Sequence, residues 1–416
     1  MHKLFWLDDG EVCSHPIASL LNEDLKKLNV EIIYRTADSF ENQKPTFSAS
    51  RKLQEVQELY LIRRNKRKVK LQKGFAYFNL KSKKVRNRLI FFVRIVNNLD
   101  KIYTKNVTSR IAKIRDYWKG YYNSIISHND CNTILFSRAY FIPLVLIKKI
   151  INYRKNLIIV YYPFELYGNQ FGFRYSKTIL LVEKIFLKWS NFILITQNDL
   201  RAKYYRDIGF AGDLYIVRNY KRFQKFKTDE RNTRKNLGIR VAVIGTIGLG
   251  RNIEYILKWI EDKRIPISID VFGTANKAWR IHHEELLNSA KANRVLRMNA
   301  EVNVSRLSEL LIEFDCGLIA YDRSCLNHLY CAPAKLTDYL HAGLPVLAVD
   351  MPAMKYYADK YEYVSLFKED DFDSFEKALQ RIMAYFSVEC KEKIASETKC
   401  LDWNMEFQKI KHIFLR

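Results

Sequence analysis

The chain has 416 residues, with 70 Lys and Arg against 45 Asp and Glu, a formal charge of +25, and 48% apolar residues. Disordered polycations are poor in apolar and aromatic side chains, so the 26 Tyr and 25 Phe exclude that class. The length exceeds what one core supports and predicts about two packed domains of roughly 150 to 200 residues each.

In chain order, Lys3–Leu7 reads as a strand that runs into Asp8, Asp9 and Gly10. These aspartates arrive too early for the apolar core of a secretory signal, so no export is expected. The seven cysteines are odd in number and include no Cys-x-x-Cys pair, which points to a reducing compartment rather than a disulfide framework or a zinc site. His15, His282, His283 and His341 show no metal-ligand spacing, and no metal is expected. No apolar run approaches the ~18 to 20 residues of a membrane span, so any membrane contact is expected to be peripheral.

Val30–Tyr34 is a second predicted strand, and after it the charge becomes uneven. Between Arg51 and Lys119 stand 21 Lys or Arg and 4 Asp or Glu, a net +17 of the total +25. Within this segment Val85, Leu89, Phe92, Val93, Val96 and Leu99 recur at steps of three and four, with Lys83, Lys84, Arg86 and Arg88 around them, as in a basic amphipathic helix. Such a helix either packs its apolar stripe into a domain core or meets an anionic surface, which could be acidic lipid headgroups or nucleic acid phosphates. Thr133–Phe136, Leu157–Tyr162, Phe192–Thr196 and Leu214–Val217 then read as strands alternating with helical patterns, the arrangement of a parallel sheet wrapped by helices. Glu165 closes the strand Leu157–Tyr162 and is either a surface glutamate or a group that binds or deprotonates a hydroxyl. Thr196–Asp199 has the Ser/Thr-x-x-Asp/Glu form of a helix start. From Asn219 to Lys235 apolar residues nearly vanish, and a linker is expected there.

The alternation restarts with strands at Val241–Ile244, Ile267–Phe272, Cys316–Ala320, Val346–Val349 and Tyr363–Leu366. The fold class is therefore α/β, with two Rossmann-like domains facing a cleft, and chemistry is expected in the loops after Ile244, Phe272, Ala320 and Val349. The first loop carries Gly245, Gly248 and Gly250 ahead of Arg251, spaced G-x-x-G-x-G. These glycines make tight turns, or they let the backbone approach a phosphate that Arg251 meets. Further on, Pro333 opens a short helix that Gly343 stops. Lys335 and Asp338 share a face of its first turn, either as a surface ion pair or as ligands of a diphosphate and a ribose diol. Leu401–Phe414 reads as one closing amphipathic helix.

The run Pro333-Ala-Lys335-Leu-Thr-Asp338-Tyr-Leu-His-Ala-Gly343-Leu-Pro345-Val resembles the P-x-K-L-x-E-Y-L-A-x-G-x-P-V signature of retaining glycosyltransferases with the GT-B fold, the group often called family 4. The resemblance extends over about 185–416, from the glycine loop through Asp270–Gly273 and Leu307–Ala320 to the Trp403 helix. It implies an N-terminal acceptor-binding domain (1–220, with the basic region at about 51–122), a C-terminal nucleotide-sugar domain (236–400) and a final helix (401–416) that crosses back. It also implies a donor site of Gly245, Gly248, Arg251, Gly273, Tyr330, Pro333, Ala334, Lys335 and Asp338, in which Arg251 and Lys335 neutralise the diphosphate. Asp338 takes the place of the ribose-binding glutamate, and Tyr330 that of the first glutamate of a Glu-x7-Glu pair. Asp8, Asp9, Gly10 and Glu165 fall on the acceptor side. The expected activity is transfer of a sugar from a nucleoside diphosphate to a hydroxyl of a lipid-linked or growing surface glycan, with retention and without metal or other cofactor. The expected location is the cytoplasmic face of the membrane, held to anionic lipid by the basic region, with no specific nucleic acid partner. A basic nucleic-acid-binding protein, or a non-catalytic GT-B partner in glycan assembly, are the alternatives.

Overall fold

The computed structural model describes residues 2–7, 16–35, 131–151, 156–166, 174–188, 192–223, 238–248, 250–251, 253–299 and 304–415. The basic region at 51–122, the loop holding Asp8, Asp9 and Gly10, and most of the expected linker lie outside these residues.

Two six-stranded sheets organise the described residues. The first contains β1 (Lys3–Leu7), β2 (Glu31–Arg35), β3 (Thr133–Phe136), β4 (Ile158–Tyr161), β5 (Ile193–Thr196) and β6 (Asp213–Ile216), in the order β2-β1-β3-β4-β5-β6. Its β1–β2, β1–β3 and β3–β4 pairings are parallel. The second contains β7 (Ile239–Ile244), β8 (Ile267–Phe272), β9 (Leu296–Asn299), β10 (Cys316–Ile319), β11 (Val346–Val349) and β12 (Val364–Phe367). All of its pairings are parallel, in the order β12-β11-β10-β7-β8-β9. That is the doubly wound Rossmann order, and its switch point lies between β7 and β10. By internal contacts the chain groups into one unit of residues 1–163, 189–193 and 414–416 and another of 164–188 and 194–413.

The inner strands are legible because helices cover both faces of a parallel sheet and force a continuous apolar run. All four residues of β10 and of β11 are buried. In β8 a buried carboxylate interrupts the run, and neighbouring strands satisfy it. Asp270 accepts a bond from Asn299 of β9 at 3.1 Å and lies 3.7 Å from both Arg240 of β7 and Arg297 of β9.

Two local expectations are corrected, and one strand is added to those expected. The edge strand β9, Leu-Arg-Met-Asn, was not anticipated, since only Leu296 of its four residues is fully buried. The helix Asp199–Asp207 is capped by Asn198 rather than Thr196, the Asn198 side chain accepting from the Arg201 N–H at 2.9 Å. The closing segment is a short α-helix, Trp403–Gln408, followed by a 3₁₀ turn, Lys411–Leu415, instead of one helix. The amides of Ile410 and Ile413 reach back three residues, to Phe407 and Ile410, and so tighten the chain out of α geometry.

Candidate functional site

The carboxyl ends of β7 and β10 are joined by one side chain. Tyr339, fully buried on the helix Ala334–His341, accepts from the Ile244 N–H at 2.9 Å and donates to the Leu318 carbonyl at 3.3 Å. It can lie there because β10 carries Gly317, where a Cβ would come within 2.2 Å of the Tyr339 ring. The N-terminus of that helix is thereby tied to the switch point, where open α/β sheets bind ligands.

Lys335, in the first turn, donates to the Ile244 carbonyl at 3.0 Å, and its ammonium sits 5.0 Å from the Tyr321 ring centroid. The Arg251 guanidinium lies 5.6 Å from the same centroid. Tyr321 follows β10, so the glycine loop, the helix start and the β10 end bring two cations to one ring. Burial, and then the charge of Arg251, pull Lys335 from the usual 10.5 down to about 7, while Cys331 and Asp338 oppose the shift. Pro333 occupies the cap position, one residue before the helix starts at Ala334. The first-turn amides of an eight-residue helix and its dipole add to the positive potential there.

The loop after β7 is drawn against the loop after β8: a Cβ on Gly273 would fall 2.4 Å from the Gly245 carbonyl oxygen, so this approach needs a glycine. Gly248 packs where a Cβ would meet the Trp279 indole at 2.5 Å, and its N–H donates to Arg251 O at 2.9 Å to close the turn. Asp338 faces Lys221 at 3.5 Å, both side chains being mostly buried. Burial raises the Asp338 carboxyl, and Lys221 followed by Lys335 counter that rise. The ionic partner of Asp338 is therefore a lysine 117 residues earlier.

Tyr330 ends the short helix Leu326–Leu329, and its carbonyl accepts from Arg201 Nε at 2.9 Å and Asn198 Nδ2 at 3.2 Å. Glu165 is half-buried in the loop after β4, and its charge is felt at Tyr321. The structure thus brings Gly245, Gly248, Arg251, Gly273, Pro333, Ala334 and Lys335 around the ends of β7, β8 and β10.

Sequence reading missed Arg201, Asn327, Asp322 and His328 here. Arg201 is buried and also donates to the Phe164 carbonyl (3.0 Å), Gln197 Oε1 (2.6 Å) and Asn327 Oδ1 (2.8 Å). His328 bonds Asp322 through Nδ1 at 2.7 Å and stacks on Tyr321 at 5.2 Å. Asp322 also accepts from the Ser324 amide (3.2 Å) and hydroxyl (2.7 Å). Against the cost of burial, bonds to the Asp322 carboxylate and the Cys325 sulfur raise His328 from 6.5 to about 9, and His328 and Ser324 lower the Asp322 carboxyl against its own burial. Only a polar residue beside a strand end could have signalled these groups, and their partners are far apart in sequence. Among the described residues no three His, Cys, Asp or Glu side chains gather as a metal-ligand set, and no helix is long and apolar enough to cross a membrane.

No protein-family model and no curated protein matches the sequence. Solved structures do match. Sucrose-phosphate synthase from Thermosynechococcus elongatus superposes with a TM-score of 0.65 at 12% identity, over 100% of this chain and 98% of that one. HepE of Anabaena, solved in complex with UDP and glucose, gives 0.56 at 12% identity over 98% and 95%. The UDP-forming α,α-trehalose-phosphate synthase of Burkholderia xenovorans, in complex with glucose-6-phosphate, gives 0.53 at 8% identity over 73% and 78%. The chain has the fold of these proteins, the two-domain GT-B fold of glycosyltransferases.

Proposed function

We propose that this protein is a glycosyltransferase that moves a sugar from a nucleoside diphosphate to a hydroxyl of a glycan or lipid-linked acceptor in surface polysaccharide synthesis. The observation that carries the reading is the convergence of Arg251 and Lys335 on Tyr321 at the switch point, beside the start of the helix Ala334–His341. Two cations and a helix N-terminus form an arrangement that recognises a diphosphate and stabilises the negative charge that builds on it as the sugar leaves. In this reading these groups neutralise the leaving group and no metal ion is invoked. Pro333 and Ala334 present the helix start, Gly245, Gly248 and Gly273 let the backbone approach the donor, and Asp338 with Lys221 meets the ribose hydroxyls. Tyr330 stands beside the donor sugar, and Glu165 binds the acceptor hydroxyl or takes its proton. Retention of anomeric configuration follows from the family resemblance alone.

UDP is the first nucleotide to test, because HepE was solved with it and the trehalose-phosphate synthase is described as UDP-forming. The basic region at 51–122 is proposed to hold the protein on anionic lipid at the cytoplasmic face, each Lys or Arg near such a surface adding ~1 kcal/mol. Co-sedimentation with phosphatidylserine vesicles that survives charge reversal at Lys83, Lys84, Arg86 and Arg88 refutes that part. The donor reading is tested by thermal stabilisation with UDP, GDP, CMP and ADP. Saturable stabilisation by one of them, about 2.7 kcal/mol at a hundred times Kd, is expected and should vanish in Lys335→Ala and weaken in Asp338→Ala. A wild type stabilised by none of these nucleotides, but by heparin or DNA in a salt-sensitive way, overturns it in favour of a nucleic-acid-binding role.

A further inference from the structure

The short helix Leu326–Leu329 turns two adjacent side chains onto two different loops, each carrying a residue of the proposed reaction. Asn327 Oδ1 accepts from the Leu166 N–H at 2.9 Å and from Arg201 Nη2 at 2.8 Å, while Arg201 Nη1 donates to the Phe164 carbonyl at 3.0 Å. The backbone is therefore pinned immediately before and after Glu165. The same guanidinium holds the end of the short helix through the Tyr330 carbonyl at 2.9 Å.

His328 serves the other loop. A Cβ on Gly250, whose φ is +81°, would lie 2.2 Å from His328 Cε1, so the imidazole lies directly against the backbone next to Arg251. Asp322, bonded to His328 Nδ1 at 2.7 Å, donates its own N–H to the Gly250 carbonyl at 2.9 Å. The His328–Asp322 pair thus grips Gly250 from two sides. Stacked on His328, Tyr321 carries the Arg251 and Lys335 cations on its ring.

We propose that Asn327 and His328 are paired positioning residues, the first fixing the Glu165 loop and the second fixing the Gly250–Arg251 loop, so that one short helix sets the register between the proton-accepting and phosphate-binding sides of the reaction. The proposal rests on the donor reading given above for its function and on geometry alone for the anchoring. Asn327 uses an oxygen acceptor for both of its bonds, so aspartate keeps the anchor and leucine removes it. His328 uses Nδ1, whose place asparagine reproduces without a charge, whereas leucine removes the imidazole bond and leaves the Asp322 carboxylate its bonds from Ser324.

The test uses the full chain and two readouts. In amide hydrogen exchange, Asn327→Leu is expected to speed exchange at Leu166 about tenfold or more, the effect of one lost bond, and to leave Gly248 and Asp322 unchanged. His328→Leu is expected to do the reverse, and Asn327→Asp and His328→Asn to restore the wild-type pattern. In calorimetry with UDP, His328→Leu is expected to weaken Kd about tenfold while Asn327→Leu leaves it within twofold. Equal loosening of both loops by either leucine variant means general destabilisation and overturns the proposal, as does an unchanged exchange pattern. Loop-selective exchange with an unaltered UDP Kd in His328→Leu overturns the donor-side role. A wild type that binds neither UDP nor inorganic pyrophosphate removes the donor reading and the proposed role with it, while loop-selective exchange still supports the anchoring.

Discussion

Lys335 offers the sharpest quantitative test, because burial and Arg251 bring its ammonium to about 7 in the free protein. In the proposed donor site a bound diphosphate holds the proton on that ammonium, so binding is expected to take up a proton and to weaken as pH rises above 7. At pH 7 about half of the free protein carries the proton, and at pH 8.5 about 3% does. Between these values Kd for UDP is expected to rise about 15-fold, or about 1.6 kcal/mol. The groups around Lys335 leave this window open: burial raises the Tyr321 hydroxyl and the Cys331 thiol to about 12. His328, at about 9, begins to lose its proton toward the upper end, so titrations stop at 8.5. Calorimetry at pH 7 in two buffers of different ionisation enthalpy should register uptake of about half a proton. Lys335→Arg, whose guanidinium cannot titrate here, should bind with no slope above pH 7. A flat profile in wild type, or the same slope in Lys335→Arg, refutes the assignment of the proton to Lys335.

Other consequences of the geometry can be measured by urea denaturation. Tyr339→Phe removes the link between the Ile244 amide and the Leu318 carbonyl in a buried site and should cost about 1 to 3 kcal/mol. Gly317→Ala should cost about 2 to 3 kcal/mol, because its methyl would meet a ring pinned at its hydroxyl; a loss below about 0.5 kcal/mol would mean that the ring can move aside. His341 is buried, with its Nε2 3.1 Å from the Leu401 carbonyl, and burial depresses it to about 4. Its unfolded value is near 6.5, so stability should fall as pH drops from 6.5 to about 4, with up to about 3 kcal/mol lost, and His341→Gln should flatten that decline.

Much of the fold was legible because it is written locally. Strands β7, β8, β10 and β11 are largely apolar runs followed by glycine, alanine or aspartate, and burial on both faces makes their positions legible, although β7 starts two residues earlier and β10 ends one residue earlier than expected. Strand β9 was not legible, because at the sheet edge Arg297 points outward with 72% of its side chain exposed, and no period-two pattern survives in four residues. At the site, the sequence singled out Arg251 and Lys335, which do approach one ring. It offered no sign of His328 or Asn327, whose value lies in Gly250 and Leu166 arriving beside them.

By itself the sequence determined the two α/β halves, the glycine turn after β7 and the proline-led helix carrying Lys335 and Asp338, since each is a short-range pattern of burial, capping and turn chemistry. Tertiary structure alone decided that Asp338 faces Lys221, that Tyr339 ties Ile244 to Leu318, and that Arg201 gathers four acceptors. Two of those acceptors, and both partners of Tyr339, are backbone carbonyls or amides. Every residue carries such groups and no sequence pattern marks them, so only folding selects which ones a buried side chain will meet.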